Sequence, residues 1–570
     1  MKTLRVNTGS RQAAYENLKP EYRDLGNRGL VARVGLDEIP PACDPIGPEN
    51  KLVIAQSLLA GTILATSGRM SIGGKSPLTG GIKEANIGGM IGKALTAHGI
   101  KLLIVEGAPA NDDLFILLVK NDGSPELIER NDLVGMGNFT LVHQLREAYG
   151  QDSEMLVIGP AGEKLFRNAC ILATDYSTKE PCRAAGRGGL GAVMGARRLK
   201  AIVVQKAAKP YRAQPARPEE YRAASSALHK AIAENGAVQA RTKYGTFGGV
   251  RKNAETGILP VKNFRSIPFD GIDKIDAQAI VDQLDRNGGK YGLSCQTGCL
   301  IKCSNYYVDK GGRHTASSLN YEALGLCGPN LLIDSLDTVA EIKQICDDAG
   351  IDAIEMGAAL GLLMEAGILA WGDEKAAIDM AKQIVSGGEF SNEFQMGIEA
   401  FGTFLKVERI PAVRGQSFAA YDVRVNKGMG FGYLAGTMGA DHTVGGGDPD
   451  AEGSYVKSTI FKMNMMAAFD SVFCLFMMQP ILMDKTIAAS FFKVLSAYFG
   501  QPWDMQRLLK VGSDSVTQEF QFNQAAGVGK AVMPKMFVDE KSGISCSAFD
   551  IDYEDQTARI QAAYLGGSLS

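Results

Sequence analysis

RAAGRGGLGAVMGARRLKAIVVQKAAKPYRAQPARPE, residues Arg183 to Glu219, is the stretch in which the chain changes from one kind of structure to another. It opens with closely spaced glycines and continues into AIVVQ, a short apolar run with β-branched residues that is typical of a buried strand. Residues 206–219 then carry three prolines among basic and small residues, which suits an exposed connection. We therefore predict a domain boundary after residue 206.

Upstream of this boundary, short apolar runs alternate with glycine turns. Besides residues 201–205, the runs are Lys51 to Leu58, Lys101 to Glu106, Leu114 to Lys120 and Met155 to Gly159. Runs of this length with β-branched residues favour strands over helices. We predict that residues 1–206 form a sheet-rich domain.

Downstream, the hydrophobic period becomes helical. Apolar residues recur at three- and four-residue steps in Asp337 to Ala349 and in Ile354 to Ala370. IPAVRGQ, from Ile410 to Gln416, interrupts this pattern and marks a second boundary. The predicted fold class is α+β: the sheet-rich domain followed by two mostly helical domains, residues 207–412 and 413–570. We see no internal repeat of fixed period.

Composition excludes several classes of protein. The 570 residues carry 60 Lys and Arg against 63 Asp and Glu, a formal charge of -3, which disfavours a nucleic-acid or anionic membrane partner. The amino terminus lacks a signal-peptide pattern. The most apolar long window, Met463 to Met483, contains Asp470, Gln479 and Pro480, so we interpret it as buried core, not a membrane span. We predict a cytoplasmic protein, in which ten cysteines are free thiols or metal ligands.

Three of those cysteines, Cys295, Cys299 and Cys303, lie within GLSCQTGCLIKCSNYY. Several thiolates this close suit an iron–sulfur cluster or zinc. The alternatives are a buried stripe on one helix face, since the spacing is i, i+4, i+8, and a zinc site, for which no matching downstream pair of cysteines exists. A fourth ligand must come from elsewhere in the chain. We interpret five other cysteines as core thiols: Cys43, Cys170, Cys182, Cys327 and Cys346.

Two glycine-rich loops could bind a ligand. Gly186 to Gly191 matches G-x-G-x-x-G, but the preceding ATDYSTKEPCRAA is polar and contains Pro181, so dinucleotide binding is disfavoured. Exposed backbone N–H groups and the Arg187 guanidinium would still suit phosphate or a polar ring system. TSGR, residues 66–69, followed by KSPLTGGIKEANIGGMIGK, forms a similar pattern. Ordinary hairpin turns are the alternative.

Four further residues could carry acid–base chemistry or bind a ligand. His442 lies among glycines in MGADHTVGGGD, and histidine is the usual proton-transfer group near neutral pH. Glu322, in LNYEALGLCGPN, and Asp347 and Asp352, in CDDAGID, are acids among apolar residues, a setting that raises a carboxyl pKa or demands a partner. The alternatives are a structural histidine and aspartates in surface turns.

Taken in order, these segments resemble the tungsten-containing aldehyde ferredoxin oxidoreductase family, from about residue 20 to residue 480. The similar segments of the sheet-rich part are GNRGLVARVGLDEIPPACDPIGPENKL, TSGR, KSPLTGGIKEANIGG and RAAGRGGLGAVMGARRLKAIVV. The resemblance implies that two molybdopterins chelate one tungsten (or molybdenum), with magnesium between their phosphates. The implied pterin contacts are Arg69, Asn86, Gly88, Arg187, Gly188, Gly189 and Leu190.

The resemblance also assigns roles farther along the chain. DDAGID resembles the D-x-x-G-x-D pterin motif and implies contacts from Asp347, Ile351 and Asp352, while YEALG and GADHT imply that Glu322 and His442 are active-site residues. Asp470 to Cys474 is similar to the second motif, D-x-x-G-L-C, with one residue fewer and no Gly-Leu pair. This implies that Asp470 contacts pterin and that Cys474 completes a 4Fe-4S cluster with the three clustered cysteines. Cys546 is the alternative fourth ligand.

Three features depart from the family pattern. The spacing here is C-x3-C-x3-C where well-known aldehyde-oxidising members have C-x2-C-x3-C. The chain from about Ser542 lacks the usual acidic tyrosine-rich segment, so one wall of the substrate channel is expected to differ. We find no glutamate–histidine pair for a subunit-bridging metal.

The resemblance implies a metallopterin oxidoreductase that oxidises an aldehyde to a carboxylic acid and passes electrons through the 4Fe-4S cluster to ferredoxin or a ferredoxin-like subunit. Glu322 and His442 would act as the acid–base pair, within a homo- or hetero-oligomer. One alternative is low-potential reduction of an aromatic thioester or carboxylic acid by the same cofactors. Another is a non-catalytic iron–sulfur electron-transfer protein, which explains the cysteines but not Glu322 and His442.

Overall fold

Two six-stranded mixed sheets form the amino-terminal part of the protein in the computed structural model, which describes residues 1–566. The first sheet has the order β2-β1-β6-β3-β4-β5, in which only the β1–β6 pair is parallel. Its strands are β1 (Lys2–Asn7), β2 (Gln12–Asn17), β3 (Leu52–Gln56), β4 (Met70–Lys75), β5 (Ile82–Ile87) and β6 (Ile100–Glu106).

The second sheet repeats this topology, strand for strand. Read from its polar edge the order is β8-β7-β12-β9-β10-β11, and only β7 and β12 are parallel. Its strands are β7 (Phe115–Val119), β8 (Pro125–Glu129), β9 (Glu154–Val157), β10 (Ile171–Thr174), β11 (Pro181–Ala185) and β12 (Leu199–Val204). The prediction of no internal repeat is therefore wrong. Few identical residues mark the repeat, among them Gly188 and Lys200, each 99 positions after Gly89 and Lys101.

Five helices accompany the two sheets. They are α1 (Asn27–Glu38), α2 (Ile91–Ala97), α3 (Asn138–Tyr149), α4 (Pro160–Glu163) and α5 (Leu190–Ala196). The five predicted strand runs coincide with β3, β6, β7, β9 and β12, which are almost entirely buried. The predicted α+β class, with a sheet-rich part followed by a largely helical part, is confirmed.

The strand before the second glycine loop was not expected. β11 begins at Pro181, which an edge strand tolerates because its outer N–H groups need no partner. β11 and β12 lie at separate positions of the sheet, with β10 and β9 between them. The loop therefore follows a strand and precedes a short helix, but it is not part of a parallel βαβ unit. The missing parallel βαβ unit supports the prediction that disfavours dinucleotide binding, although the polar segment with Pro181 does contain a strand.

The remainder of the described chain is mostly helical. After β12 ends at Val204, the next helix begins at Pro218. The helices are α6 (Pro218–Glu234), α7 (Gly236–Tyr244), α8 (Val250–Thr256), α9 (Ile272–Ile275), α10 (Ala277–Asn287), α11 (Tyr321–Cys327), α12 (Leu336–Ala349), α13 (Ala353–Glu365), α14 (Glu374–Ser386), α15 (Ser391–Phe394), α16 (Ile398–Phe404), α17 (Lys427–Ala435), α18 (Val456–Val472), α19 (Met478–Met483), α20 (Lys485–Phe499), α21 (Met505–Ala525), α22 (Lys535–Val538) and α23 (Glu554–Tyr564). Two small sheets lie between them: β13 (Lys290–Leu293), β14 (Ser304–Val308) and β15 (His314–Ser317), and β16 (Ala412–Val413) with β17 (Gln416–Ser417).

The apolar window from Met463 to Met483 spans α18, a sharp break and α19. Within residues 1–566 no helix by itself has the length and apolar character to cross a bilayer, and only this pair, bent by 116°, passes that test jointly. α18 packs against α1 and α21, and its carboxy-terminal half is almost completely buried. The break after Val472 is the structural reason that Cys474 leaves the helix and faces a cavity.

Candidate functional site

Four thiols predicted to bind one cluster line a single cavity of about 180 Å³. Cys295, Cys299 and Cys303 reach it from the loop between β13 and β14, and Cys474 reaches it from the break between α18 and α19. A cavity of about 150 Å³ holds a benzene molecule, so this space exceeds the needs of one metal ion. Cys546 is exposed and does not line this cavity.

The cysteine loop is irregular, and this excludes the helical stripe considered above. Residues 294–303 contain no helix, and Lys302 has a φ of 47°, which turns the backbone just before Cys303. Among the described residues no three His, Cys, Asp or Glu side chains converge closely enough to hold one metal ion. The geometry therefore argues against a mononuclear zinc site and fits a multi-atom cluster.

Two arginines set the electrostatics of the cavity. Arg69 and Arg183 line it together with the thiols. A hydrogen bond with the Cys299 thiol lowers the pKa of Cys295 to about 5; burial opposes this, and the two guanidinium groups favour it. Arg183 is fixed by Asp175, at 2.6 Å, and by Ser318, at 2.9 Å. Positive charge is thus built in beside groups that must bind metal as thiolates.

Arg69 links this cavity to the neighbouring polar groups. Its guanidinium donates to the side-chain and backbone oxygens of Asn86, and the Asn86 amide donates to the backbone oxygen of Asp470 at 3.3 Å. A methyl group added at Gly88 would lie 3.2 Å from both Cys295 Sγ and an Arg69 guanidinium nitrogen. The predicted pterin contacts of the first sheet therefore lie directly beside the thiols.

Asp470 is a buried carboxyl whose two oxygens have no hydrogen-bond partner. Burial raises its pKa well above the ordinary value, and the nearby charge of Glu84 adds to the shift. Arg28 lies 3.8 Å away, but it makes its hydrogen bonds to Glu519. A buried carboxyl without a partner is costly, so a ligand that donates hydrogen bonds fits this position.

The D-x-x-G-x-D motif joins α12 to α13. α12 ends at Ala349 because Gly350 takes a φ of 74°, and Asp352 then caps α13 by accepting from the Ile354 N–H at 2.9 Å. The turn rests on the end of the second sheet, where Cys170 N–H donates to Gly350 O at 2.9 Å and Ile351 pairs with Ala169. The motif's backbone is thereby attached to the sheet domain.

The two motif aspartates contact different cations. Lys343 Nζ lies 2.6 and 2.5 Å from the two carboxylate oxygens of Asp347, and both side chains are buried. Burial raises the pKa of Asp347 to about 6, although Lys343 opposes this. Asp352 instead accepts from Arg187 at 3.2 Å. Neither aspartate lies in a surface turn, so that alternative is wrong.

Arg187 connects the second glycine loop to the helical part of the protein. Besides Asp352, it donates to Ala440 O at 2.6 Å, to Ser417 O at 2.5 Å and to Glu355 at 3.3 Å. Glu355 is fully buried, and burial raises its pKa to about 7 against the opposing charge of Arg187. The loop is therefore a junction between domains and not a simple hairpin turn.

Glu322 and His442 approach each other near the cysteine cavity. His442 Nε2 lies 3.9 Å from Glu322 Oε1, and the side chains are 30% and 16% exposed. Asn320, which caps α11, lines the cavity two residues before Glu322. Glu322 Oε2 accepts from the Ala420 N–H at 2.7 Å, which leaves Oε1 facing the histidine. Because 3.9 Å exceeds a hydrogen bond, a water or a substrate oxygen can bridge the two groups.

A buried ion pair between Lys83 and Asp441 anchors the loop that carries His442 to the first sheet. Lys83 Nζ lies 2.5 Å from Asp441, and although burial opposes it, Lys83 holds the pKa of Asp441 below its usual range. The His442 Nδ1 atom is buried without a partner. Tyr421 lies beside His442, with ring centroids 6.3 Å apart, and it stacks on Tyr321 at 5.0 Å.

Sequence reasoning missed several residues at this site. Arg183 and Lys83 had a detectable signal, since both lie in the segments quoted for the two glycine loops. Glu355 follows the motif aspartate Asp352 by three residues, on the first turn of α13. Tyr421 had no signal, because only the folded chain places it beside Glu322 and His442.

Comparison with protein families matches nearly the whole chain to one family of oxidoreductases. The model described as aldehyde ferredoxin oxidoreductase, N-terminal domain, matches residues 3–206, and the model for domains 2 and 3 of the same enzyme matches residues 223–554. The chain therefore belongs to the aldehyde ferredoxin oxidoreductase family, as its motifs indicate.

Individual relatives differ in the chemistry that their names record. The tungsten-containing aldehyde ferredoxin oxidoreductase of Pyrococcus furiosus is 29% identical over 94% of this chain and 91% of its own. The WOR-like subunit of an aliphatic sulfonate oxidoreductase from the same organism is 27% identical over 73% of this chain and 70% of its own. A chain of the active-site complex BamBC of benzoyl coenzyme A reductase matches with a TM-score of 0.75 and 17% identity, over 99% of this chain and 93% of that chain. This last likeness shows the fold alone.

Proposed function

We propose that the protein oxidises an aldehyde to a carboxylic acid and delivers the electrons to ferredoxin or a ferredoxin-like subunit. The balanced half-reaction takes an aldehyde and one water to a carboxylate, three protons and two electrons. The observation that carries the proposal is the approach of Glu322, at the start of α11, to His442 on a separate loop, 3.9 Å away; Asn320, which caps α11, lines the four-thiol cavity. An acid–base pair is what the proton-releasing side of this reaction needs.

The residues present fit the cofactors that the family implies. Four thiols around one cavity match the usual ligand set of a 4Fe-4S cluster. The two unpartnered oxygens of the buried Asp470 would accept hydrogen bonds from a pterin, and glycine at position 88 keeps a side chain out of the tight space beside Cys295 and Arg69. When bound, the tungstopterin supplies the redox chemistry by taking up the electron pair released from the substrate. The magnesium between the pterin phosphates remains a prediction from the resemblance.

The protein's own groups supply binding, orientation and proton transfer. Because the Ala420 N–H holds Glu322 Oε2, the free Oε1 is the atom that accepts a proton as water adds to the carbonyl carbon. His442 Nε2, facing Oε1, passes that proton on or holds the carbonyl oxygen. The stacked Tyr321 and Tyr421 form a flat wall next to this pair and exclude water from one side of the substrate.

The same tyrosine wall supports a second candidate reaction. A flat aromatic acyl group would pack well on Tyr421, so low-potential reduction of an aromatic thioester or carboxylic acid is the alternative for the same site. A non-catalytic electron-transfer protein does not account for the acid–histidine pair beside the cavity. The two reactions differ in electron direction, and this difference can be measured.

The deciding experiment starts with protein purified without oxygen from cells supplied with tungstate. We expect about one tungsten (or molybdenum), two pterins and four iron atoms per chain, and reduction of a viologen dye with an aldehyde as donor. Activity confined to reduction of an aromatic thioester by a low-potential donor would move the protein to the second candidate. Iron or zinc alone, with no pterin released on denaturation, would contradict both.

A further inference from the structure

The four-thiol cavity lies closest to solvent at one place. Cys303 is partly exposed, whereas Cys295, Cys299 and Cys474 are buried. Phe476, two residues after Cys474, lines the same cavity and is half-buried. Electron tunnelling weakens steeply with distance. The surface beside Cys303 and Phe476 therefore offers the shortest path between a bound cluster and an external partner.

Cations surround this opening. Lys302 is exposed and precedes Cys303 directly. α7 packs on the cysteine loop, where Thr242 Oγ1 donates to Ile301 O at 3.0 Å. From α7 the Arg241 guanidinium lies 4.4 Å from the Phe476 ring centroid. Lys243, two residues later on α7, is exposed. Arg241 and Lys302 therefore lie beside the opening, and Lys243 adds an exposed positive charge on the same short helix as Arg241.

The two segments that carry these cations contain no acidic residues of their own. The segments 236–249 and 288–303 contain no Asp or Glu, although the whole chain has a formal charge of -3. Within the part of the chain that the structure describes, none of Arg241, Lys243 and Lys302 lies within 4.0 Å of a carboxylate, and Asp282 of α10 is the acid that approaches Lys243. Unpaired cations on a chain of net negative charge favour an anionic partner at this place.

The centre of the same face is apolar. Leu300 and Phe476 are half-buried and pack against one hydrophobic cluster with Cys299. An apolar centre inside a charged rim is the usual anatomy of a protein interface. We propose that Leu300, Phe476, Arg241, Lys243 and Lys302, here named the mouth surface, dock an acidic iron–sulfur protein. One electron passes at a time, so the reduced cluster is oxidised as the partner's cluster is reduced. This deepens the proposed function and rests on it.

The test uses the complete holoenzyme, reduced with dithionite and freed of excess reductant. Its reoxidation is followed after mixing with an acidic two-cluster bacterial ferredoxin and, separately, with a small uncharged quinone. In the double variant Arg241→Glu/Lys243→Glu, we expect the ratio of the ferredoxin to the quinone rate constant to fall by about tenfold or more at low salt. The deficit should shrink as salt rises, because salt screens exposed charges.

Matched variants make the result specific. Lys375→Glu removes a cation whose side chain is 88% exposed on α14, away from α7, and its ratio should stay within about twofold. Arg241→Lys keeps the charge and should retain most of the ferredoxin rate. Equal ratios in the double variant and in Lys375→Glu, at matched iron content, would overturn the proposal. Since no aldehyde is used, failure of the proposed substrate and failure of the docking surface give different results.

Discussion

At the scale of single residues, Glu322 and His442 are the predicted proton-transfer groups, with 3.9 Å between Glu322 Oε1 and His442 Nε2. We expect Glu322→Gln and His442→Ala each to retain tungsten, pterin and cluster while losing turnover by about 100-fold or more, because proton transfer would lose its acceptor or its relay. The measurement is aldehyde-dependent dye reduction, normalised to the metal content of each variant.

One result would contradict the assignment of Glu322 and His442 to proton transfer. Near-normal turnover of either fully metallated variant would show that its side chain only lines the pocket. Glu322→Gln keeps the hydrogen bond from the Ala420 N–H, so this variant tests charge and proton affinity with little change in shape.

Cys474 and Cys546 provide a matched pair for the fourth cluster ligand. Cys474→Ala should remove or degrade the iron–sulfur absorbance and lower the iron content, because three thiols would remain in the cavity. Cys546→Ala should leave both unchanged, because Cys546 is exposed elsewhere. Visible absorbance and iron analysis on the two proteins, prepared side by side, decide the question; the opposite pattern would exclude Cys474.

The sequence identifies single candidate residues where a local motif contains them. The three clustered cysteines and the motif around Asp352 are recognisable because their spacing is short and regular. The partners of these residues are not local: Asp352 meets Arg187, and Glu322 meets a backbone N–H 98 positions away. Such pairings depend on chain packing, and periodicity within a segment contains no information about them.

At the scale of elements, the Lys343–Asp347 pair connects stability to pH within one helix, α12. Lys343→Met should destabilise the protein by about 3–5 kcal/mol near pH 8, because the buried Asp347 would either ionise without its partner or have to bind a proton. Burial raises the pKa of Asp347 to about 6, so the folded protein holds this proton more tightly than the unfolded chain does. The resulting stabilisation is complete below the ordinary pKa of an aspartate and is lost as pH rises through 6. The defect should therefore shrink at pH 5, where the carboxyl takes up a proton.

Thermal unfolding of the wild type and Lys343→Met at pH 5 and pH 8 measures this dependence. The double variant Lys343→Met/Asp347→Leu should recover much of the lost stability, since it removes both buried charges. An equal loss of stability in Lys343→Met at both pH values would show that lost packing, not charge, explains the variant.

Buried elements with a mostly apolar sequence were the predictable ones. β3, β7 and β12 are completely buried, and apart from Gln56 and Lys200 their residues are apolar. β2 and β11 are edge strands with polar or exposed residues, so their sequences do not differ from those of loops. An edge strand forms because its backbone hydrogen-bonds to a neighbouring strand. The sequence of the edge segment alone does not show which strand that is.

At the scale of the whole molecule, Arg28 joins the beginning of the chain to its end. From α1 it donates to both carboxylate oxygens of Glu519 on α21, at 2.7 and 2.9 Å. The side chains of Arg28, Glu519 and the neighbouring Asp470 are all buried. Arg28→Met should cost about 3–5 kcal/mol of unfolding free energy, because the buried Glu519 would lose its hydrogen-bonded countercharge. Chemical denaturation of the apo and metallated proteins measures this.

The same helix provides the control. Arg33 pairs with Asp37 at 2.9 Å, but both side chains are partly exposed, so Arg33→Met should change stability by no more than about 1 kcal/mol. Similar losses in the two variants would show that the Arg28 network does not hold the first and last parts of the chain together.

The repeated sheet topology gives the two glycine loops equivalent places in the fold but different surroundings. A methyl group added at Gly88 would lie 3.2 Å from Cys295 Sγ, whereas Arg187, 99 positions later, reaches into the helical part of the protein toward Glu355. Two identical ligands bound at the two loops would therefore meet unlike neighbours, so the protein would make them chemically inequivalent.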